Sequence, residues 1–294
     1  MLLKDGITYS HEHVRIDLSH IKGTQDTNID IFEDTVEEFL ALKHAGVANI
    51  LELTNIGMGR DTAYVRRVAD ASGLNILCST GFYIEEFFPD FFFKMNEREV
   101  ADLLVKEVVY GIEDTGVKAE IIGEIGSSLN VITEEEKKLF KAAARASCET
   151  GKPIITHATL GTCGLEQVDI LKGFSLDFDK IIISHIDLKN DLDYAKELIY
   201  SGVNIAFDTI GKENYLPDSE RVNLIKELCK LGLSEKILLS MDITRKSAFK
   251  SGGGIGYSYL IDHFLPMLRE NSVKEECIKN MTENNAKRIF SGHR

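Results

Sequence analysis

The chain has 294 residues, and 34 Lys and Arg against 47 Asp and Glu leave a formal charge of −13. A field of that sign repels phosphate backbones and anionic headgroups, which argues against nucleic acid and membrane surfaces as partners. Hydrophobic content of 44% with four prolines is ordinary globular composition, and no apolar run approaches the roughly 20 residues of a membrane span.

Strand and helix patterns then alternate from end to end. ITYSHEHV (7–14) reads as the first strand, followed by the amphipathic DIFEDTVEEFLALKHAG. ANILELT (48–54) and NILCSTG (75–81) are the next two strands, and EREVADLLVKEVVYGIEDTG is a helix closing on glycine. AEIIGEIG (119–126) is the fourth strand. Thr133 with Glu136 three residues on forms a capping box that starts the helix TEEEKKLFKAAARASCETG. PIITHAT (153–159), KIIISHID (180–187), NIAFDTIG (204–211) and KILLSMDI (236–243) complete eight strands. YSYLIDHFLPMLREN, with a kink expected at Pro266, and VKEECIKNMTENNAKRIF add two terminal helices. Buried apolar strands separated by helices call for a parallel sheet covered on its faces. Eight such units fit a TIM (β/α)8 barrel with an extra C-terminal helix, which needs roughly 250 residues. A doubly wound open sheet is the alternative. With no repeat, linker or composition shift, residues 1–294 read as one domain. The opening MLLKDGITYSHEHV has no signal-peptide core, and Cys78, Cys148, Cys163, Cys229 and Cys277 form no CxxC pair. A cytoplasmic protein with buried free thiols is the expectation.

In a barrel, active-site groups project from the C-terminal ends of the strands. The first strand ends His11-Glu12-His13, with both imidazoles on one face and Glu12 on the other. Glu124, His157, His185 and Asp242 close the fourth, fifth, sixth and eighth strands. Any one of these could be structural, but six buried ionisable groups ending five apolar strands are costly unless paired or metal-bound. Four imidazoles and two carboxylates suit two divalent ions, Zn²⁺ first, with Mn²⁺, Fe²⁺ or Co²⁺ admissible. The assignment is one ion on His11, His13 and Asp242, a second on His157 and His185, and Glu124 shared between them. A hydroxide bridging the two ions would be the nucleophile. His20, His44, His263 and His293 are left structural.

The HxH of the first strand, the single histidines of the fifth and sixth and the aspartate of the eighth resemble the phosphotriesterase family of the amidohydrolase superfamily. TYSHEHVRIDLS, IIGEIGSS, FDTIGK, YLPD and LSMDITRKS extend the resemblance over essentially the whole chain, most closely to the phosphotriesterase homology group. The resemblance implies a binuclear centre in a TIM barrel and hydrolysis of an ester-type bond. Phosphotriesterases proper bridge their metals with a carboxylated lysine where this sequence has Glu124; the homology group carries glutamate there. Efficient triester hydrolysis therefore does not follow.

Lys212, next to Asp208 at the mouth, and Arg245 with Lys246 after the eighth strand suggest an anionic substrate, or simply neutralise Asp208, Asp242 or Glu12. Tyr83 is a candidate for polarising the substrate carbonyl. The phenylalanines after it read as pocket wall or subunit contact, which allows for a homodimer, and KSGGGIGY reads as a mobile segment. The leading expectation is hydrolysis of a lactone, such as a phosphorylated sugar lactone, with Asp242 shuttling the proton. Phosphoester hydrolysis, a mononuclear deaminase-type site, and a barrel that kept its metals but lost turnover are the alternatives.

Overall fold

β-Branched, near-continuous apolar runs pair in chain order, as strands buried on both faces do. The computed structural model describes residues 2–291, so His293 lies outside the described residues. The strands are β1 (Ile7–Glu12), β2 (Val47–Glu52), β3 (Asn75–Thr80), β4 (Ile121–Ser127), β5 (Ile154–Ala158), β6 (Ile181–Ser184), β7 (Asn204–Phe207) and β8 (Ile237–Leu239). They form one sheet, and every neighbouring pair is parallel. Ser10 Oγ donates to Leu239 O at 3.1 Å, and His11 N to Ser240 Oγ at 3.0 Å. Beyond them Asp242 N donates to His11 O at 3.2 Å, which brings the last strand back to the first. The architecture is the expected (β/α)8 barrel, and the open-sheet alternative falls.

Helices α1 (Phe32–His44), α2 (Thr62–Ser72), α3 (Glu97–Val109), α4 (Glu134–Thr150), α5 (Gly164–Leu171), α6 (Leu192–Tyr200) and α7 (Asp218–Lys230) cover the strands. The Thr133–Glu136 capping box forms as expected. Side chains divide into two apolar layers by the period of two. Leu51, Leu77, Ile155, Ile182, Ala206 and Leu238 fill the lumen, which Ala286, Ile289 and Phe290 of the C-terminal segment help to close. Ile50, Ile122, Ile154, Ile183 and Ile205 pack outward against the helices.

Several expectations are corrected. The strands read as ending at residues 14, 187, 211 and 243 leave the ladder at Glu12, Ser184, Phe207 and Leu239, because the backbone turns there to present side chains. The helix from Glu97 stops at Val109, short of its glycine signals, and Gly111 turns the chain at φ 114°. A small antiparallel pair, Ile16–Asp17 with Asn28–Ile29, was not foreseen, and His20 sits in the short helix Ser19–Lys22 rather than a loop. Pro266 causes no break: a π-helical turn, Leu260–Phe264, runs straight on into the helix Leu265–Glu270, whose first turn holds the proline. Of the five free cysteines only Cys78 is buried, and Cys148 is exposed. Among the described residues no helix is long and apolar enough to cross a membrane.

Candidate metal centre

The six predicted donors come together on the barrel axis, at the end where the strands finish. One oxygen of Glu124 faces each side: Oε1 is 3.4 Å from His13 Nε2, while Oε2 is 3.1 Å from His157 Nδ1 and 3.4 Å from His11 Nε2. Asp242 Oδ1 lies 3.2 Å from His13 Nε2 and 3.9 Å from His11 Nε2. His185 Nε2 lies 2.8 Å from His157 Nδ1. Donor atoms of His11, His13 and Asp242 all lie within 4.8 Å of one another, as do those of His11, Glu124 and His185. The geometry thus places His11 between the two groups, while His157 joins the second through His185 and Glu124.

Groups behind the rings engage one nitrogen of each and turn the other inward. Asp208 Oδ1 accepts from His185 N at 2.9 Å and from His185 Nδ1 at 2.7 Å, leaving Nε2 toward the cluster. Thr159 spends its hydroxyl proton on Ser127 O at 2.7 Å, so its oxygen accepts from His157 Nε2 at 3.0 Å and Nδ1 is the free nitrogen. Ser184 Oγ sits 3.0 Å from His11 Nδ1, and Thr54 Oγ1 2.9 Å from His13 Nδ1. Such outer partners fix ring orientation around metals. His11 Nε2 is buried with no hydrogen-bond partner, a cost a bound cation would remove. The donor set, the orientations and this orphaned nitrogen fit a pair of divalent ions.

Sequence reading placed Asp208 at the mouth beside Lys212; it is instead fully buried behind His185 and His11. A polar residue closing an apolar strand was its signal. Thr54, Ser184 and Thr159 carried no comparable signal. His20, His44 and His263 stand apart from the donor groups, as expected.

Among protein groups alone the cluster is a charge-balanced knot. Burial opposes the charged forms of His11, Glu124, His157, His185 and Asp242, but partners outweigh it at all of these except His157. His11 is held well above the ordinary imidazole range by Glu124 and Asp208. His185 is pushed up to about 10 by Asp208. Glu124 is held well below the carboxylate range by His11, and Asp242 is held below it by Lys212 and the histidines. His157 moves down through burial and the neighbouring His185. The phenol of Tyr83 is pushed up by burial and then by Glu124, so it stays protonated.

The cluster floors a cavity of about 560 Å³ whose walls include the apolar Leu18, Met58, Leu160 and Ile210 and the cations Lys22, Lys212 and Arg245. Lys246 does not line it, and Lys22, which the sequence did not single out, does. Lys212 pairs with Asp242, and Arg245 reaches Asp26 at 3.5 Å rather than Asp208, Asp242 or Glu12. Tyr83 OH is 3.3 Å from His157 Nε2. Phe87, Phe88 and Phe92 are packed inside, whereas Phe91 and Phe93 are about half exposed. Both ends of the glycine-rich segment bond to the buried Glu38. Glu38 accepts from Lys250 N at 2.7 Å and Tyr257 N at 2.6 Å, and Asp26 accepts from Ser247 N at 2.8 Å.

Known proteins share this fold. The phosphotriesterase homology protein of Escherichia coli is 39% identical over 97% of this chain and 98% of its own. Its crystal structure, with phosphate in the active site, superposes at a TM-score of 0.96 over 97% of this chain and 99% of that one. A lactonase from Listeria monocytogenes superposes at a TM-score of 0.94 with 27% identity, covering 100% of this chain and 97% of that one. The N-acetyltaurine hydrolase of Dictyostelium discoideum is 32% identical over 94% of this chain and 78% of its own. The sequence model of the phosphotriesterase family matches residues 3–290, and the chain belongs to that family of metal-dependent hydrolases.

Proposed function

We propose that the chain hydrolyses a small carboxylic ester bearing an anionic group, in first place a phosphorylated sugar lactone. Two ions, Zn²⁺ first, would be held by His11, His13, Asp242, His157, His185 and the shared Glu124. The observation that carries this reading is the pair of Glu124 oxygens aimed at two different donor groups, beneath a cavity with a cationic wall. The lactonase relative and the phosphate held by the Escherichia coli relative support it.

When bound, the ions supply Lewis acidity that acidifies water and polarises the bond to be broken. Asp242 is held ionised, so its Oδ1 can take the proton of the attacking water, and a carboxyl of such low affinity passes it on. Tyr83, protonated at the cavity wall, can donate to the substrate carbonyl oxygen. Arg245 can grip an anionic group away from the reacting bond, the role its planar fork suits.

A second reading, hydrolysis of an N-acyl amino sulfonate, is favoured by the N-acetyltaurine hydrolase relative. The same cationic wall would accept a sulfonate, but an amide needs a proton for its leaving amine. Metal-reconstituted enzyme assayed on sugar lactones, their phosphates, N-acyl amino sulfonates and aryl phosphoesters separates these. Phosphorylated lactones should lead the panel, and Arg245→Ala should raise their KM about 10- to 100-fold, the worth of a charged hydrogen bond. Turnover confined to uncharged esters or aryl phosphoesters contradicts the proposal.

A further inference from the structure

Glu12, the middle residue of the HxH motif, is fully buried, does not line the cavity and enters no ion pair among the described residues. Its carboxylate is nonetheless fully used. Oε1 accepts from Ser240 Oγ at 2.7 Å and Met241 N at 2.8 Å, and Oε2 accepts from Ile243 N at 3.2 Å. Met241 and Ile243 flank Asp242, whose own N–H donates to His11 O at 3.2 Å. Three successive amides of the eighth strand's extension are therefore held by the HxH segment. Asp242 needs such a hold, because its φ of 50° is a left-handed conformation that non-glycine residues rarely adopt without support.

We propose that Glu12 is a positioning residue: its carboxylate clamps Met241 and Ile243 so that the left-handed turn between them aims Asp242 Oδ1 at His13 and His11. The inference rests on the metal-centre reading above. A carboxylate suits the task because it only accepts, and all three partners are donors. A glutamine would set an amide N–H against one of them. The neighbouring strand repeats the device. Glu52, directly opposite Glu12 in the β1–β2 ladder, accepts from Val14 N and, at 3.2 Å, from Thr54 N, the residue whose hydroxyl meets His13.

The test compares wild type with Glu12→Gln and Glu12→Asp, the second keeping the charge but shortening the reach. Folding of metal-stripped protein is followed by circular dichroism, ion affinity by calorimetry, the ligand field by the visible spectrum of the Co²⁺ form, and kcat and KM separately. Both variants should fold without metal and show an altered Co²⁺ spectrum. One ion should bind about 10- to 100-fold more weakly, and kcat should fall with KM within about twofold. Wild-type affinity and spectrum in both variants would overturn the clamp, as would failure of both to fold without metal. Wild-type stoichiometry is measured alongside. Wild type holding two ions with unchanged variants sinks the clamp alone, while wild type holding none sinks the metal-centre reading as well.

Discussion

At the scale of single residues, the cluster is built to exchange protons for cations. Ligating imidazoles must be neutral, yet Asp208 and Glu124 hold His11 and His185 protonated among protein groups alone. Metal binding should therefore release protons at neutral pH, and affinity should rise as pH climbs toward about 10, where His185 gives up its proton unaided. The sign for stability follows. The raised pKa of His185 means that its pairing with Asp208 stabilises metal-stripped protein below the unfolded value of about 6.5 and is lost as pH rises through about 10. Glu124 and Asp208, held low, lose their contribution on acidification instead. Asp208→Asn should weaken ion binding about 10- to 100-fold and reduce the protons released, read by calorimetry in buffers of different ionisation enthalpy. Unchanged affinity and proton release would contradict the role given to Asp208. The six donors were legible in sequence because each closes an apolar strand. Thr54, Ser184 and Thr159 were not, since a hydroxyl at a strand end is common and only the fold shows which ring it meets.

At the scale of elements, strict alternation explains only part of the site. His157 follows lumen-facing Ile155 by two residues and points inward as the pleat dictates. Glu124 follows outward-facing Ile122 by two, and His11 follows outward-packed Tyr9 by two, yet both reach the axis. Register shifts between Ile122 and Ile125 in β4, and between Tyr9 and Glu12 in β1, reverse the parity there. His185 is turned in by its left-handed φ of 62°. Eight strands and their order could be read from the chain, but these irregularities could not, because no residue type announces them. The IIGEIG signature has a packing reason. A Cβ on Gly123 would meet Ile155 O at 2.4 Å, and one on Gly126 would meet Ile84 Cγ2 at 2.5 Å and Tyr83 O at 2.7 Å. Gly126→Ala should cost about 1–3 kcal/mol in denaturant unfolding and lower kcat by displacing Tyr83. Wild-type stability with wild-type turnover would show that the β3 and β4 extensions yield freely.

At the scale of the whole molecule, a formal charge of −13 surrounds a cavity with a cationic wall. Composition described the surface and could not foresee that Lys22, from the segment after β1, joins Lys212 and Arg245. The barrel separates stability from chemistry. One end is closed by Ala286, Ile289 and Phe290, and the other gathers donors from β1, β4, β5 and the segments that follow β1, β6 and β8. In the proposed centre these donors hold two ions with Glu124 between them. Elemental analysis of extensively dialysed, metal-reconstituted protein tests it most directly, with Glu124→Ala beside wild type. Two divalent ions per wild-type chain and loss of at least one in the variant are predicted; one ion or none in wild type, or two retained without Glu124, would contradict it.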